Sequence, residues 1–489
     1  MKTFKLAVAA AVCCALAAGC HFCQNGIDEQ PEETVSVDFS KSAGRVIRPL
    51  HGVNNSPVRL NGRLREFTDA RIPFTRTHDT AGAYGGHCYI DIPNLFPDMD
   101  ADENDPKSYR FEFTDELLKT FTNSNVKTFY RLGTTIENRW KIRIYNIDPP
   151  KDFAKWARVA EHVIMHFNEG WANGHRFGIE YWEIWNEPEN PPMWHGTKEQ
   201  FFEFYKVVSS HLKKRFPNLK IGGYASCGFY ALNREEDKKS DFSKSFLTWF
   251  NEFLPFVKKN SLPLDFFSWH LYFTDPREIA IHSEYVRRRL DEEGFKDTEN
   301  IFNEWNVFDE GKAHWGWDGL KMFHGASGAA AAFAVMQKET SIDKAMYYDA
   351  LPTRAYCGLY EFPSLRTTHT YCSFKAFGEL YALSNEVESV SSNPKLFVLA
   401  ASDGEKGAFY VSNMTTNSVP VKFDVKGAPK GDVRAYVIDR ERMLDFCPFD
   451  PEETVVPNRG VLFVEYNMPP LKVVRNSGNK PKNVAGLQQ

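Results

Sequence analysis

The sequence predicts a parallel (β/α)8 barrel, that is, a TIM barrel of the α/β class, joined to an accessory antiparallel β-sandwich. Three observations predict this fold class. Short apolar runs alternate with amphipathic helical stretches over about 300 residues, which is typical of a parallel barrel. After Leu383 the long helical stretches end, and short β-like runs broken by Gly, Pro, Asn and Asp follow. The chain of 489 residues is also long enough for a barrel and a second unit.

The N-terminus reads as a leader rather than as part of the fold. Two lysines precede an apolar run over residues 6–16, which is too short to span a membrane. Small residues then lead to Cys20, as in a bacterial lipoprotein signal, although Ala17 stands where such signals commonly have Leu. We therefore predict a signal peptide over residues 1–19 and a polar tether over residues 20–33. Lipidation of Cys20 would anchor a periplasmic or outer-membrane protein, and plain secretion is the alternative.

The predicted barrel spans residues 46–383 and alternates strands with helices. Its strand candidates are residues 46–53, 72–77, 126–132, 181–185, 220–224, 265–272, 300–305 and 345–348. Its clearest helical patterns are residues 153–167, 198–215, 243–259 and 278–293. Eight strands separated by helices over roughly 300 residues favour a closed parallel barrel over a doubly wound sheet.

The region 384–475 has the composition of a β-sandwich. Its β-like runs are residues 396–401, 406–413, 419–424, 433–439 and 461–466. Residues 34–39 alternate in the same way, so we expect an N-terminal strand over residues 34–45 to join the sandwich. The polar tail 476–489 is expected to be disordered.

Composition argues against several classes of protein. The net charge is −5 and the basic residues are scattered, so we expect no nucleic-acid partner. Contact with a membrane is expected only through the N-terminal lipid. Three of the nine cysteines, Cys13, Cys14 and Cys20, lie in the leader; the other six form no CxxC zinc pattern among themselves, and both free thiols and disulfides stay open for them. The aromatic content of 15% fits either a large core or platforms for stacking sugars.

Two glutamates carry the predicted chemistry. Glu187 follows the fourth strand candidate and Glu304 lies in the seventh, each among aromatic and aliphatic residues. Side chains at the carboxyl ends of these strands would face each other across a barrel mouth. Hydrolysis of a glycosidic bond needs one carboxylic acid to protonate the leaving oxygen and a second carboxylate opposite, and it needs no metal or organic cofactor. The alternative is that each glutamate caps a loop or pairs with an arginine.

The residues around Glu187 resemble those of a known group of enzymes. Residues 182–190 read Trp-Glu-Ile-Trp-Asn-Glu-Pro-Glu-Asn and resemble the acid/base motif of the large barrel clan of retaining glycosidases. Within that clan the chain is most similar to glycoside hydrolase family 39, which holds β-xylosidases and α-L-iduronidases. Further similar stretches are residues 75–79, 194–201, 265–272 and 433–439.

This resemblance implies roles for particular side chains. Glu187 matches the acid/base and Glu304 matches the nucleophile of a double displacement on an oligosaccharide or simpler glycoside. Asn186 matches the residue that hydrogen-bonds the sugar 2-hydroxyl. The other substrate-binding positions that the resemblance implies are His78, His270 and Tyr272.

Other residues of the predicted site are inferred from their positions at strand ends. Trp305 follows the nucleophile, and it is either a sugar platform or a wall residue. Asp349, at the eighth strand, would add an acceptor for sugar hydroxyls, and Arg76 is expected to pair with a nearby carboxylate. The family commonly has Thr before its nucleophile and Phe after it. Asn303 and Trp305 stand there in this chain and alter the shape around Glu304.

The expected substrate is a neutral sugar, with β-xylosides or arabinosides favoured. Uronate-cleaving members of the family carry Lys where Tyr272 stands in this chain. Lys141 or Arg143 could supply a cation to the site if their loop folded inward. Two alternatives stay open: another family of the same clan, such as the arabinofuranosidases, and a non-catalytic surface glycan-binding lipoprotein. An interaction protein is disfavoured by the polar residues crowded at the strand ends.

Overall fold

The computed structural model describes residues 33–80, 89–135, 147–308, 317–352 and 355–473. The predicted leader, Cys20 and most of the tether and tail lie outside these residues, as do Lys141 and Arg143. Within the described ranges, no helix combines the length and apolar character needed to cross a membrane.

The described chain begins with strand β1 (Glu33–Val46), which lies in the accessory sheet and not in the barrel. The prediction that a barrel strand begins at Val46 is therefore wrong, because β1 continues to that residue. Arg48 then holds the connection in place, since its guanidinium donates to the backbone carbonyls of Gln337 and Thr340. The first barrel strand begins only at Gly52.

Parallel strands close into the predicted barrel, which confirms the fold class. In ring order they are β2 (Gly52–Asn54), β3 (Phe74–Thr77), β4 (Lys127–Leu132), β5 (Tyr181–Ile184), β6 (Lys220–Ser226), β7 (Phe266–Phe273), β8 (Glu299–Val307) and β9 (Lys344–Tyr347). Strand β2 pairs with both β3 and β9, which closes the ring. An apolar plug of Phe74, Phe129, Tyr181, Phe266, Ile301 and Met346 fills the end where the strands begin. Buried polar side chains lie at the opposite end of the barrel, where the strands finish.

The helices surround this ring. They are α1 (Arg65–Asp69), α2 (Ile92–Leu95), α3 (Glu112–Asn123), α4 (Phe153–Asn168), α5 (Lys198–Arg215), α6 (Glu235–Lys239), α7 (Asp241–Lys259), α8 (Glu278–Glu293), α9 (Phe323–Glu339) and α10 (His369–Leu383). Helices α4, α5, α7 and α8 match the predicted ranges to within two residues. Helix α9 is Ala-rich and almost wholly buried, because it packs against the barrel on one side and the accessory sheet on the other.

The accessory sheet contains β1 and the strands after the barrel. These are β10 (Asn385–Ser391), β11 (Leu396–Ser402), β12 (Gly407–Asn413), β13 (Val419–Lys426), β14 (Val433–Ile438), β15 (Met443–Cys447), β16 (Val455–Val456) and β17 (Val461–Tyr466). Their order is β15-β14-β17-β12-β11-β10-β1-β13-β16. All pairs are antiparallel except β1 with β13, so the sheet departs from the predicted antiparallel pattern at one place. It rests on α9, where the Tyr410 hydroxyl donates to the Ala330 carbonyl at 2.9 Å.

Candidate active site

Glu187 and Glu304 meet at the mouth of the barrel. Glu187 follows β5, and Glu304 lies within β8 on the other side of the ring. Both side chains are almost fully buried. One carboxylate oxygen of each glutamate and one ring nitrogen of His270 lie within 4.8 Å of one another. Strands four and seven of the ring therefore bring the two predicted carboxylates together.

A sharp turn of the backbone aims Glu187 into this space. Trp185 and Glu187 both adopt left-handed conformations, with φ values of 71° and 46°, which non-glycine residues adopt only where the surrounding structure holds them. Trp185 is held because its indole N–H donates to the Met193 carbonyl at 2.9 Å. The backbone N–H of Glu187 donates to the Ala225 carbonyl at 3.0 Å. These two hydrogen bonds thus fix the turn at Trp185 and at Glu187.

His270 lies between the two glutamates. Its Nδ1 is 2.6 Å from Glu187 Oε1, and its Nε2 is 3.7 Å from Glu304 Oε2. Burial lowers the pKa of His270 to about 4, so the ring is neutral at pH 7. Burial also raises the pKa of Glu187 to about 7. A protonated Glu187 can donate to Nδ1, and an ionised Glu187 can accept from the Nδ1–H of the other tautomer.

Glu304 is held by two donors. The Tyr272 hydroxyl donates to its Oε1 at 2.6 Å, and the Arg76 guanidinium donates to its Oε2 at 3.1 Å. Burial raises the pKa of Glu304, while His270, Arg76 and the Tyr272 hydroxyl oppose that rise. The guanidinium and the phenol favour the ionised carboxylate, as a nucleophile requires.

Arg76 is the hub of a hydrogen-bond network beneath this pair. This agrees with the prediction that it pairs with a nearby carboxylate. The guanidinium is fully buried and donates to Glu183 Oε2 at 2.7 Å as well as to Glu304. It also donates to Asn186 Oδ1 at 2.7 Å and to Asn54 Oδ1 at 2.9 Å. The contact with Asn186 fixes that amide so that its NH2 group is left as the donor.

His78 and Asp349 also lie at the mouth of the barrel. Each contacts a polar neighbour for which the sequence predicted no role. Asn55 Nδ2 donates to Asp349 Oδ2 at 3.2 Å. His78 Nε2 is 3.4 Å from Asp79 Oδ1, and Oδ2 of the same carboxylate accepts a hydrogen bond from the Tyr348 hydroxyl. Burial holds the pKa of His78 well below its usual value, so the ring is neutral. These polar side chains are buried and hydrogen-bonded around the strand ends, where they can meet sugar hydroxyls.

Trp305 does not lie in the site. It is fully buried and packs edge-on against Phe333 of α9 and Tyr347 of β9, with ring centroids 5.6 and 5.1 Å away. The alternative of a sugar platform is therefore corrected to a wall residue. The physical reason is the alternation of the strand: Glu304 points inward, so the next side chain points outward toward the helices.

Three residues beside Glu187 were not singled out from the sequence. Glu189 Oε1 accepts from the Ser226 hydroxyl at 2.6 Å and from the Cys227 backbone N–H at 2.8 Å. Burial raises the pKa of Glu189 to about 8. Asn190 Nδ2 is 3.4 Å from Glu187 Oε2 and 4.0 Å from the sulfur of Cys227. Glu189 and Asn190 follow Glu187 within one short turn, and this polar cluster is the signal that could have identified them.

The fold and the paired carboxylates define a barrel of the glycosidase type. The sequence pattern of the glycosyl hydrolases family 39 matches residues 64–336. The chain belongs to that family.

Solved structures share the fold at low sequence identity. A glucosidase from Croceicoccus marinus is 21% identical with a TM-score of 0.70, over 90% of this chain and 99% of that one. A family 39 β-xylosidase from Caulobacter crescentus is 16% identical with a TM-score of 0.60, over 89% of this chain and 100% of that one. At these identities the similarity extends to the fold alone.

Two curated relatives match shorter segments. A β-xylosidase from Geobacillus stearothermophilus is 28% identical over 200 residues, which is 38% of this chain and 35% of that protein. An α-1,4-L-rhamnosidase from Formosa agariphila is 26% identical over 158 residues, which is 32% of this chain and 29% of that protein. The chain thus spans about a third of the length of these relatives.

Proposed function

We propose that the protein is a retaining glycosidase for neutral sugars, with Glu187 as acid/base and Glu304 as nucleophile. The observation that carries the proposal is the short separation of the two carboxylates, because one oxygen of Glu187 and one oxygen of Glu304 lie within 4.8 Å of each other. Retaining enzymes hold their carboxyl groups about 5 to 5.5 Å apart, whereas inverting enzymes need about 6.5 to 9.5 Å to admit a water molecule. The close pair favours direct attack by Glu304.

The contacts of each glutamate fit its proposed step. In the first step Glu187 gives its proton to the leaving oxygen while the Glu304 carboxylate attacks the anomeric carbon, and the glycosidic bond breaks. The raised pKa of Glu187, about 7, keeps a proton available near neutral pH. In the second step Glu187 takes a proton from water, which attacks the glycosyl-enzyme and releases Glu304. Arg76 and Tyr272 stabilise Glu304 whenever it is ionised.

The charges around the mouth support a neutral sugar. Among the described residues at the strand ends, the guanidinium of Arg76 pairs with Glu183 and Glu304, and that of Arg131 pairs with Asp91. Both cations are therefore already neutralised by carboxylates of the protein. A sugar carboxylate would need a further cation in a matching geometry.

An aromatic wall beside the nucleophile suits the apolar face of a small sugar. The Tyr272 ring stacks on Phe308 with centroids 5.6 Å apart and meets Tyr356 at 5.3 Å. The β-xylosidases among the relatives make xylosides the first candidates, with arabinosides next.

A panel of aryl glycosides tests the proposal. We expect the highest kcat/KM on β-xyloside or α-L-arabinoside, and NMR of the first-formed sugar should show the same anomeric configuration as the substrate. Glucoside, galactoside, rhamnoside and iduronide complete the panel. A 2-deoxy-2-fluoro glycoside with a good leaving group should label Glu304, as located by peptide mass spectrometry. Binding of glycans without turnover of any substrate would favour the glycan-binding alternative, and an inverted first product would refute retention.

We also propose that the protein is exported and anchored, in the periplasm or at the outer membrane, by a lipid on Cys20. The proposal rests on the apolar run and the small residues before Cys20 in the sequence. Labelling of the wild-type protein, but not of Cys20→Ser, by an alkyne-tagged fatty acid would support it. Release of both proteins into the medium without label would refute it.

A further inference from the structure

Two histidines and an aspartate converge in the helical layer, apart from the residues of the candidate active site. Asp115 lies in the first turn of α3, and His166 lies in the last turn of α4. His175 lies in the segment that leads into β5. One ligand-type atom of each residue lies within 4.8 Å of the others. We refer to these three residues as the Asp115 cluster.

The hydrogen bonds of His166 leave one contact that a neutral ring cannot satisfy. Its Nδ1 is 2.9 Å from the Trp171 carbonyl, and its Nε2 is 2.8 Å from Asp115 Oδ1. Both partners are acceptors, but a neutral imidazole has a single N–H to donate. A cation between Nε2 and the carboxylate would satisfy both of these atoms without a second proton on the ring.

His175 favours the cation. Its Nε2 lies 3.4 Å from the same Asp115 oxygen, and this buried nitrogen atom makes no hydrogen bond. A second proton on His166 would leave the His175 nitrogen unsatisfied, which is costly for a buried polar atom. A metal ion would accept lone pairs from both Nε2 atoms and from the carboxylate together.

We propose that the Asp115 cluster binds a zinc ion. Two imidazoles and one carboxylate are ligands that Zn²⁺ takes in proteins. Bonds of about 2.0 Å to a tetrahedral zinc place its ligand atoms about 3.3 Å apart, and the distances of 2.8 and 3.4 Å to Asp115 bracket that value. The bond from His166 Nδ1–H to a backbone carbonyl is the outer contact that metal-bound histidines commonly make.

Two of the three side chains in the cluster are partly exposed to solvent. The side chains of Asp115 and His175 keep 18% and 21% of their surface exposed, whereas His166 is buried and stacks on Phe111 with ring centroids 3.6 Å apart. Tetrahedral zinc takes four ligands, and a water molecule would supply the fourth beside the three side chains of the cluster.

The backbone before His175 is shaped to bring that residue onto α4. Ala172 and Asn173 adopt left-handed conformations, with φ values of 55° and 58°. A Cβ on Gly174 would lie 2.2 Å from the His166 carbonyl oxygen, so only glycine fits there. The His175 backbone N–H donates to that same carbonyl at 2.6 Å. The zinc ion would thus tie α3 and α4 to the segment that enters β5, the strand before Glu187.

Zinc titration of the full-length protein, purified without a histidine tag and stripped with a chelator, tests the proposal. We expect one Zn²⁺ per chain by calorimetry and elemental analysis, together with a rise in Tm of about a few degrees. His175→Ala and Asp115→Asn should weaken binding at least about tenfold, as expected when a ligand is lost. His211→Ala is the matched control, because His211 pairs with Glu161 at 2.6 Å on neighbouring helices and is in neither group of three possible metal ligands found in the described part of the chain; it should bind zinc as the wild type does.

Two results would overturn the proposal. One is failure of the stripped wild-type protein to take up zinc, which requires no variant to fold. The other is unchanged stoichiometry and affinity in folded His175→Ala. Co²⁺ gives an independent readout, since four-coordinate Co²⁺ bound to the wild type should show visible absorption bands that are lost in His175→Ala.

Discussion

The substitution Glu187→Gln tests the proposed proton donor most directly. It removes the acidic proton but keeps the size of the side chain. Burial raises the pKa of Glu187 from its usual 4.5 to about 7, so about half of the molecules hold the proton at pH 7. A glutamate with the usual pKa would hold it in roughly one molecule in three hundred at that pH. The buried position therefore supplies on the order of a hundredfold more of the acid form at neutral pH.

The expected loss depends on the leaving group. With phenols of high pKa, which need protonation, kcat/KM should fall by about 10²- to 10⁴-fold in Glu187→Gln. With dinitrophenol, which leaves unassisted, the loss in kcat/KM should be less than about tenfold, and azide should accelerate turnover by attacking the glycosyl-enzyme. The alkaline limb of the wild-type pH profile, with an apparent pKa near 7, should disappear in the variant.

The assay is a series of aryl glycosides measured over pH 5 to 9. Glu189→Gln is the matched control, because it makes the same replacement two residues away and keeps an acceptor for the Ser226 hydroxyl. It should retain the wild-type dependence on the leaving group. An equal loss in Glu187→Gln with every leaving group, or a retained alkaline limb near pH 7, would refute the assignment of Glu187.

Three further predictions follow from particular contacts. Tyr272→Phe removes the 2.6 Å hydrogen bond to Glu304, so kcat/KM should fall about 10- to 100-fold, as for a bond to a charged group. The acidic limb of the pH profile should also move to higher pH, because that bond lowers the pKa of Glu304; an unmoved limb would contradict this role. Glu189 keeps its proton up to a pKa of about 8 in the folded state but has a usual value of 4.5. The folded chain then holds a proton that the unfolded chain loses, so wild-type stability should fall between about pH 5 and 8. Tm measured over this range should fall less in Glu189→Gln, and parallel curves would be inconsistent with a buried, protonated Glu189. Trp305→Phe should lower Tm by opening a cavity beside α9 but leave KM unchanged; a large rise in KM would return this residue to the sugar site.

Much of the candidate active site could be predicted from the sequence, because local patterns carry it. The alternation of apolar runs and helices predicts the barrel, and the barrel places strand ends four and seven opposite each other. Glu187 and Glu304 are therefore predictable as a pair before any coordinate is known. His270 and Tyr272 are predictable in the same way, since residues two apart in a strand point to one side.

The remaining features depend on contacts between residues far apart in the chain. A register shift between β7 and β8 pairs His270 with Glu304 directly after Trp269 with Phe302. Such a bulge changes which side chains of the strand face the inside of the barrel. Its position depends on pairing with the neighbouring strand and not on the local sequence. The hub at Arg76 is similar, because Glu183 lies 107 positions away and Glu304 lies 228 positions away.

The sequence by itself determined the fold class, the family and the two carboxylates, because periodicity and a short motif are local properties of the chain. Only the tertiary structure decided the pKa values of those carboxylates, and so which of them holds a proton. The pKa of Glu187 rises because burial removes water from it, and that burial is produced by strands and helices from the whole ring. Contacts between distant parts of the chain also decide the parallel pairing of β1 with β13. They likewise bring Asp115 together with His166 and His175. Side chains distant in sequence become neighbours only when the barrel closes and its helices pack.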